Sequence, residues 1–124
     1  GVIMEFKRGD TVTHTLVIPN LFYKPGLKVF FMAKEEMDDD TADAKALIAR
    51  EFGDSNIVSR ENNEITYALK FQPGDTNGIK FNGDTRIALQ GEFEFRYADG
   101  QIKTFPETKP LKVIVYSDVR RGND

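Results

Sequence analysis

The chain has no cysteine and no tryptophan, and it contains a single histidine. Without cysteine it can form neither a disulfide framework nor a thiolate metal site, which fits folding in a reducing cytoplasm and does not exclude secretion. Without tryptophan it lacks the side chain most typical of a sugar-stacking platform. A lone histidine leaves few candidates for acid–base chemistry near neutral pH.

The chain also lacks a large excess of charge of either sign and lacks long apolar runs. Seventeen basic and twenty acidic side chains are interspersed and give a net charge of −3. No broad cationic surface is therefore expected, and we predict no nucleic-acid partner. No stretch approaches the roughly 18 apolar residues of a membrane span, so we expect a soluble protein with no membrane partner. With 124 residues the chain can bury one core, and we predict a single domain over residues 1–118 followed by a polar C-terminal tail over 119–124.

The strongest local pattern is an alternating strand followed by a turn near residue 90. Apolar side chains at every second position fall on one face, and polar ones fall on the other. The Asp99-Gly100 pair is typical of a type I′ turn, in which both residues have positive φ, and it predicts a hairpin with Ile102 opposite Tyr97. The apolar set is Ile87, Leu89, Phe93, Phe95 and Tyr97, and the polar set is Gln90, Glu92, Glu94 and Arg96.

Other segments carry the same signal. Thr11 to Ile18 and Glu64 to Phe71 alternate with period two, which predicts half-buried strands. Leu27 to Lys34 is almost continuously apolar, which is typical of a central strand covered on both faces. We predict a strand from Lys45 to Phe52; a short helix from Thr41 to Arg50 is the alternative, because alanine and an acidic or threonine cap favour one.

The rest of the chain is predicted to form turns, short strands and connections. Met4 to Arg8, Ile57-Val58 and Leu111 to Tyr116 are strand candidates. Pro73 to Asp84 is rich in Gly, Asn and Asp and predicts a long surface connection, with Ile79 and Phe81 anchoring it to the body. Turn signals recur about every 8–12 residues, a spacing typical of immunoglobulin-like domains. We therefore predict an all-β fold, an immunoglobulin-like antiparallel β-sandwich of about seven to nine strands.

Several residues could carry chemistry, and most have a simpler interpretation. His14 shares a strand face with apolar residues and has no nearby catalytic partner, so we interpret it as a packed strand residue. The acidic cluster Asp38, Asp39, Asp40 and Asp43 could offer oxygen ligands to calcium, but it lacks the glycine and the distal glutamate of a dedicated loop, and we favour a solvated loop. Arg8-Gly9-Asp10 spells an integrin-binding tripeptide, but it lies between two strands, and we interpret it as a coincidence.

The remaining catalytic patterns are weaker. The only serines, Ser55, Ser59 and Ser117, lie in no nucleophile elbow. Glu92 and Glu94 could form a carboxylate pair, but charges at alternate positions are ordinary on the solvent face of a strand. Gly74 to Gly78 lacks the Lys-Ser/Thr of a phosphate-binding loop. We predict no catalytic, cofactor-binding or metal-binding residue and no cofactor; Phe22, Tyr23 and Tyr116 are the aromatics that could be exposed for sugar binding.

Motifs spread over nearly the whole chain resemble a known family. They are the opening Glu5 to Thr11, the central Val29 to Lys34, the acidic Asp38 to Ala44 leading into Ala46 to Ile48, Asn63 to Leu69 with Pro73 to Thr76, and Gly91 to Gly100 with Thr104-Phe105. In this order they resemble bacteriophage virion domains of the baseplate upper protein N-terminal type.

The resemblance implies an immunoglobulin-like sandwich with a structural or assembly role in a phage tail or baseplate, located in the virion after assembly in the host bacterial cytoplasm. It implies no catalytic residues. The partners expected from it are other tail or baseplate proteins, with self-association into a homo-oligomer also expected, since such a domain can dock through a sheet edge or an aromatic patch. The alternative function is a β-sandwich module that binds carbohydrate or protein on the host surface.

Overall fold

The computed structural model describes residues 3–35 and 46–118, and within these ranges the chain forms nine strands in two sheets. Sheet A has the order β1-β9-β7-β3-β4, with β8 also paired to β7, and sheet B has the order β2-β6-β5. The strands are β1 (Ile3–Lys7), β2 (Val12–Pro19), β3 (Lys28–Lys34), β4 (Ile48–Phe52), β5 (Ile57–Ser59), β6 (Glu64–Phe71), β7 (Arg86–Arg96), β8 (Ile102–Phe105) and β9 (Leu111–Tyr116). The all-β prediction is confirmed.

The topology is that of an immunoglobulin-like sandwich. Strands β2, β6 and β5 take the positions named B, E and D in that fold, and β3, β7 and β9 take C, F and G. One departure from the antiparallel prediction is the first pair, because β1 runs parallel to β9 with Ile3 opposite Lys112. Sheet A is therefore mixed.

The core lies between the two sheets and is built by the alternation that the sequence shows. Phe31 on β3 and Phe71 on β6 meet across it with ring centroids 5.6 Å apart and planes at 77°, an edge-to-face contact. Ile65, Tyr67, Leu69 and Phe71 are all buried, as the period-two pattern of β6 predicts. The inward face of β7 is likewise buried at Leu89, Phe93 and Phe95. β3 has strands on both sides, and Met32 and Lys34 are buried on its second face, which confirms its central place.

The strand prediction for Lys45 to Phe52 is confirmed from Ile48 onward. β4 pairs with β3 with Val29 opposite Phe52, and Ile48 and Phe52 are both buried. The alternative helix over residues 41–50 is wrong where the chain is described, since 48–50 are strand. The pairing of β4 with β3 and the burial of apolar side chains on β4 outweigh the intrinsic preference of alanine for helix. The predicted acidic loop at Asp38 to Ala44 and the predicted tail 119–124 lie outside the described residues.

The hairpin between β7 and β8 differs from the predicted type I′ turn. Gly100 has φ +93°, but Asp99 is not among the positive-φ residues. The Gly100 N–H donates to the Tyr97 carbonyl and the Tyr97 N–H to the Gln101 carbonyl. This is a three-residue loop with a glycine bulge, and it shifts the register by one, so that Ile102 lies opposite Arg96 instead of Tyr97.

The connection from residue 73 to 84 is a surface segment, as predicted, and its anchors Ile79 and Phe81 are buried. It opens with a one-turn helix, α1 (Pro73–Thr76), that was not predicted. Pro73 at the first helical position and Asp75, whose carboxylate accepts the Gln72 N–H at 2.7 Å, together form a helix start that the sequence does display. Among the described residues no helix is long and apolar enough to cross a membrane.

Candidate functional site

An apolar slot opens between the two sheets, beside the outer edge of β2. It has a volume of about 460 Å³, within the range of roughly 300–1,000 Å³ usual for ligand clefts. One wall is the second half of β2 and the other is β8, and we call this space the β2–β8 slot. Its lining comprises Leu16, Val17, Ile18, Pro19, Phe22, Phe95, Lys103, Thr104, Phe105 and Glu107.

The slot exists because sheet A extends beyond sheet B on this side. Lys103 pairs with Phe95 and Phe105 pairs with Phe93, so both side chains are on the inward face of β8. Inward-facing residues elsewhere in sheet A are covered by sheet B, yet every residue of β8 is exposed, and Phe105 is 41% exposed. β8 therefore overhangs the edge of β2 and leaves part of the interior open.

The overhang depends on an interruption of the last strand. β8 and β9 pair with successive parts of the same side of β7, with Phe105 opposite Phe93 and Leu111 opposite Gly91. Residues 106–110, which include two prolines, leave the sheet between them. Proline has no N–H to donate to a ladder, so this excursion separates an exposed half-strand from a buried one.

His14 is a packing residue, as interpreted from the sequence. Its ring lies edge-on to Phe6, with centroids 4.9 Å apart, and its Nε2 is 3.0 Å from the Glu5 carbonyl oxygen. A carbonyl can only accept, so Nε2 carries the proton. Burial lowers the pKa of His14, and the hydrogen bond to Glu5 partly offsets that effect. The imidazole therefore holds β1 against β2, and its donor nitrogen is already engaged.

The Arg8-Gly9-Asp10 tripeptide does not display its arginine. Arg8 is only 4% exposed, and its guanidinium donates to the Ile79 carbonyl at 2.8 Å and pairs with Asp118 at 3.4 Å. The same group lies 4.7 Å above the Phe81 ring. A buried arginine cannot reach a receptor carboxylate, which supports the interpretation of coincidence. Its role is to bind the 73–84 connection to the ends of β1 and β9.

Glu94 of the carboxylate pair and Asp75 of the glycine-rich stretch both make structural contacts. The Glu94 carboxylate accepts from the Arg96 guanidinium, which also lies 4.5 Å over the Phe30 ring. In the Gly74 to Gly78 stretch, the Asp75 carboxylate accepts from Arg50 at 2.7 Å, which ties α1 to β4. Glu94 and Asp75 are therefore both engaged in ion pairs within the fold.

The three serines are not brought together with a base. Ser55 lies in the short 3-10 turn Asp54–Asn56 and Ser59 at the end of β5. Ser117 follows β9, and its N–H donates to the Thr85 carbonyl at 3.0 Å. The only histidine is committed elsewhere. Asp38, Asp39, Asp40 and Asp43 lie outside the described residues; within 3–35 and 46–118, no group of three or more His, Asp or Glu side chains could hold a metal ion.

The aromatic residues predicted to be exposed are only half-exposed. Lys103 lies 4.9 Å over the Phe22 ring and Arg60 lies 4.9 Å over the Tyr23 ring. The Tyr23 hydroxyl donates to Asp54 at 3.1 Å, and the Tyr116 hydroxyl donates to Glu5 at 2.7 Å. The cation-covered rings of Phe22 and Tyr23 offer less stacking surface than a sugar-binding platform requires.

Sequence reasoning did not find the buried hydroxyl of Tyr67, which has no hydrogen-bond partner among the described residues. Tyr67 is fully buried, and no described residue offers its hydroxyl a hydrogen-bond partner. Burial raises the pKa of Tyr67 to about 12, with the nearby Asp54 carboxylate adding to the rise. The sequence indicated only that Tyr67 is on the inward face of β6; the lack of a hydrogen-bond partner for its hydroxyl depends on the tertiary packing.

The β2–β8 slot was not predicted either, because it depends on how far sheet A extends beyond sheet B, and no local sequence pattern encodes that extent.

The chain is an all-β immunoglobulin-like sandwich. A scan against protein-family models and a search of curated proteins both find no match to this chain.

Proposed function

We infer that this protein is a non-enzymatic structural protein of a bacteriophage virion, an assembly module of the tail or baseplate. The inference combines the whole-chain resemblance in the sequence with one structural observation, the lack of charged residues on the edge strand β2. This strand forms an edge of sheet B, and its eight residues contain no Asp, Glu, Lys or Arg. Soluble domains usually protect a long edge with charges, bulges or a cover, because an open edge invites pairing with another chain.

The other edges within the described residues are guarded. β4 carries Arg50 and Glu51, and Arg50 is bonded to Asp75 of α1. β5 has three residues and a register shift against β6. β1 carries Glu5 and Lys7. β8, which pairs only with β7, has four residues and carries Lys103. The contrast with β2 supports a domain whose work is to dock a neighbour through one side.

The alternative, a module that binds carbohydrate or protein on the host surface, has less support. It would need an open ligand groove with exposed aromatic faces. The β2–β8 slot is lined mainly by aliphatic and phenylalanine side chains, and the Phe22 ring at its end is covered by Lys103.

Affinity purification from lysate of phage-infected cells tests the proposal. We expect identified tail or baseplate proteins to co-purify, and we expect light scattering to show association. The melting temperature should not rise with Ca²⁺, because a bound ligand would stabilise the folded chain by RT ln(1 + [L]/Kd). A strict monomer that captures no virion protein and binds one glycan on an array would favour the alternative.

A further inference from the structure

We propose that the β2–β8 slot receives one extended strand from another protein, which pairs with the outer edge of β2 and fills the slot with alternate apolar side chains. This proposal rests on the assembly role above and names the surface through which docking occurs. Four observations carry it: unpaired backbone groups, a vacant strand position, the overhang of β8, and the position of Lys103.

The register of sheet B shows which backbone groups of β2 face outward. The Asn20 N–H donates to the Asn63 carbonyl at 2.8 Å, continuing the β2–β6 pairing in which Pro19 lies opposite Glu64. In an antiparallel ladder, alternate residues bond to the neighbouring strand. His14, Leu16 and Ile18 therefore bond to β6, and Thr13, Thr15 and Val17 present their N–H and C=O groups to the open edge.

Those outward groups have no backbone partner among the described residues. Pro19 is also in an outward position, and its nitrogen carries no hydrogen. It ends the stretch that can accept a strand, as proline commonly does at a sheet edge. The available edge is thus short and has a defined end.

The immunoglobulin-like fold has a place for a strand at this edge. Its B-E-D sheet ordinarily continues to a strand A, which lies beside B and antiparallel to it. Within residues 3–35 and 46–118 no strand occupies the position beside β2. The slot lies along the second half of this open edge, at residues 16–19. An incoming strand antiparallel to β2 would complete this sheet.

The overhang of β8 favours a single strand over a second copy of the domain. The side chains of Lys103 and Phe105 form the β8 wall of the slot beyond the edge of β2, and a strand paired with β2 would lie against them. A second copy pairing through its own β2 would bring another overhanging β8 into the same space. A small apolar ligand could fill the volume, but it would leave the outward groups of Thr13, Thr15 and Val17 unpaired.

The lining defines the chemistry of the partner. Phe95, Phe105 and Leu16 call for apolar side chains at alternate positions of the incoming strand. The Lys103 ammonium makes no ion pair with a described residue and contacts the Phe22 ring. A carboxylate on the same strand would pair with it. The partner segment is therefore extended, alternately apolar, and carries an Asp or Glu.

Selection from a displayed library of random dodecapeptides on the full chain tests the proposal, followed by hydrogen exchange with a selected peptide after its synthesis. We expect enrichment of peptides that alternate apolar residues and contain an acidic one. Binding should slow exchange of the Thr13, Thr15 and Val17 amides and leave those of β4 unchanged. Phe105→Asp should weaken binding by about thirtyfold or more, the scale of a lost central anchor.

Ile102→Asp is the matched control, because Ile102 is on the same strand, is 59% exposed, and lies on the opposite face, paired with Arg96. It should bind the peptide as the original chain does, and circular dichroism should show that both variants fold. Lys103→Glu should remove the preference for acidic peptides and favour basic ones.

Other results would overturn the strand proposal. In the selection, such a result would be that no peptide is enriched. In hydrogen exchange, it would be that the peptide protects amides of another edge, that the chain forms a dimer that protects the amides of β2, or that the Thr13, Thr15 and Val17 amides already exchange slowly in the free chain. Among the variants, it would be that Ile102→Asp weakens peptide binding as much as Phe105→Asp does. The two proposals fail separately. If Phe105→Asp still captures tail proteins from lysate, the slot is not the docking surface, yet the assembly role stands; if peptides bind but no virion protein is captured, the assembly role is wrong.

Discussion

Gly91→Ala should destabilise the protein, although alanine is normally the better strand residue. Gly91 is on β7 and lies opposite Ala33 of β3 on one side and opposite Leu111 of β9 on the other. A Cβ atom there would lie 2.8 Å from Val113 Cγ2 and 3.3 Å from both the Met32 carbonyl oxygen and Phe31 Cε1. Val113 is fully buried, and a β-branched side chain cannot rotate freely to make room.

The size of the effect follows from two opposing contributions. Overpacking a core by one methyl group costs about 1–3 kcal/mol, and replacing glycine in a strand interior recovers about 0.5–1 kcal/mol of backbone entropy. We expect a net loss of about 1–2 kcal/mol, since the clash is with atoms on three sides. For a chain of 124 residues, whose unfolding entropy near the melting temperature is about 0.26 kcal/mol/K, this lowers the melting temperature by about 4–8 °C.

Thermal unfolding followed by circular dichroism measures the effect, with Gly74→Ala as the matched control. Gly74 lies in α1, a Cβ atom added to it would have no neighbouring atom within 4 Å, and its φ is not positive. Its replacement should therefore leave the melting temperature unchanged or raise it. Val113→Ala should reduce the cost of Gly91→Ala, because it removes the closest methyl group. If Gly91→Ala melts at or above the temperature of the original chain, the close packing between β7 and β9 described above is wrong.

Three further predictions concern the core and its titrating groups. Phe95→Ala should cost about 3–5 kcal/mol in denaturant unfolding, because its side chain is buried; unchanged stability would mean that the inward face of β7 is misassigned. The lowered pKa of His14 means that the unfolded chain takes up its proton first as the pH falls, so stability should decline below about pH 6.5, and His14→Gln should remove that part of the decline. Tyr67→Phe should not destabilise the protein at neutral pH, because no described group bonds to the hydroxyl. Since the folded pKa of Tyr67 is raised to about 12, the original chain should lose stability as the pH rises above about 10, the unfolded value, and Tyr67→Phe should lose less.

Local alternation was enough to predict most strands. The inward and outward faces of β2, β6 and β7 follow directly from period-two patterns such as Ile65 to Phe71, because burial on one face constrains every second residue. The end of the chain's last described strand was also predicted at Tyr116. These predictions succeeded where the signal is contained within a few neighbouring residues.

Features that depend on distant residues were not predicted. The parallel pairing of β1 with β9 joins residues more than a hundred positions apart. The burial of Arg8 depends on Ile79 and Asp118, which come from two other parts of the chain. The β2–β8 slot depends on how far one sheet extends past the other. The turn at Asp99-Gly100 was misjudged for a local reason, because the same pair also suits a three-residue loop with a glycine bulge.

The assembly role is tested most directly by mass spectrometry of purified particles from the phage or induced prophage whose genome carries this coding sequence. We expect the protein in the particles at a copy number comparable to that of known tail or baseplate components, and we expect it to remain after a high-salt wash that strips adsorbed proteins. Its absence from intact particles, or a coding sequence that belongs to no phage or prophage, would contradict the account.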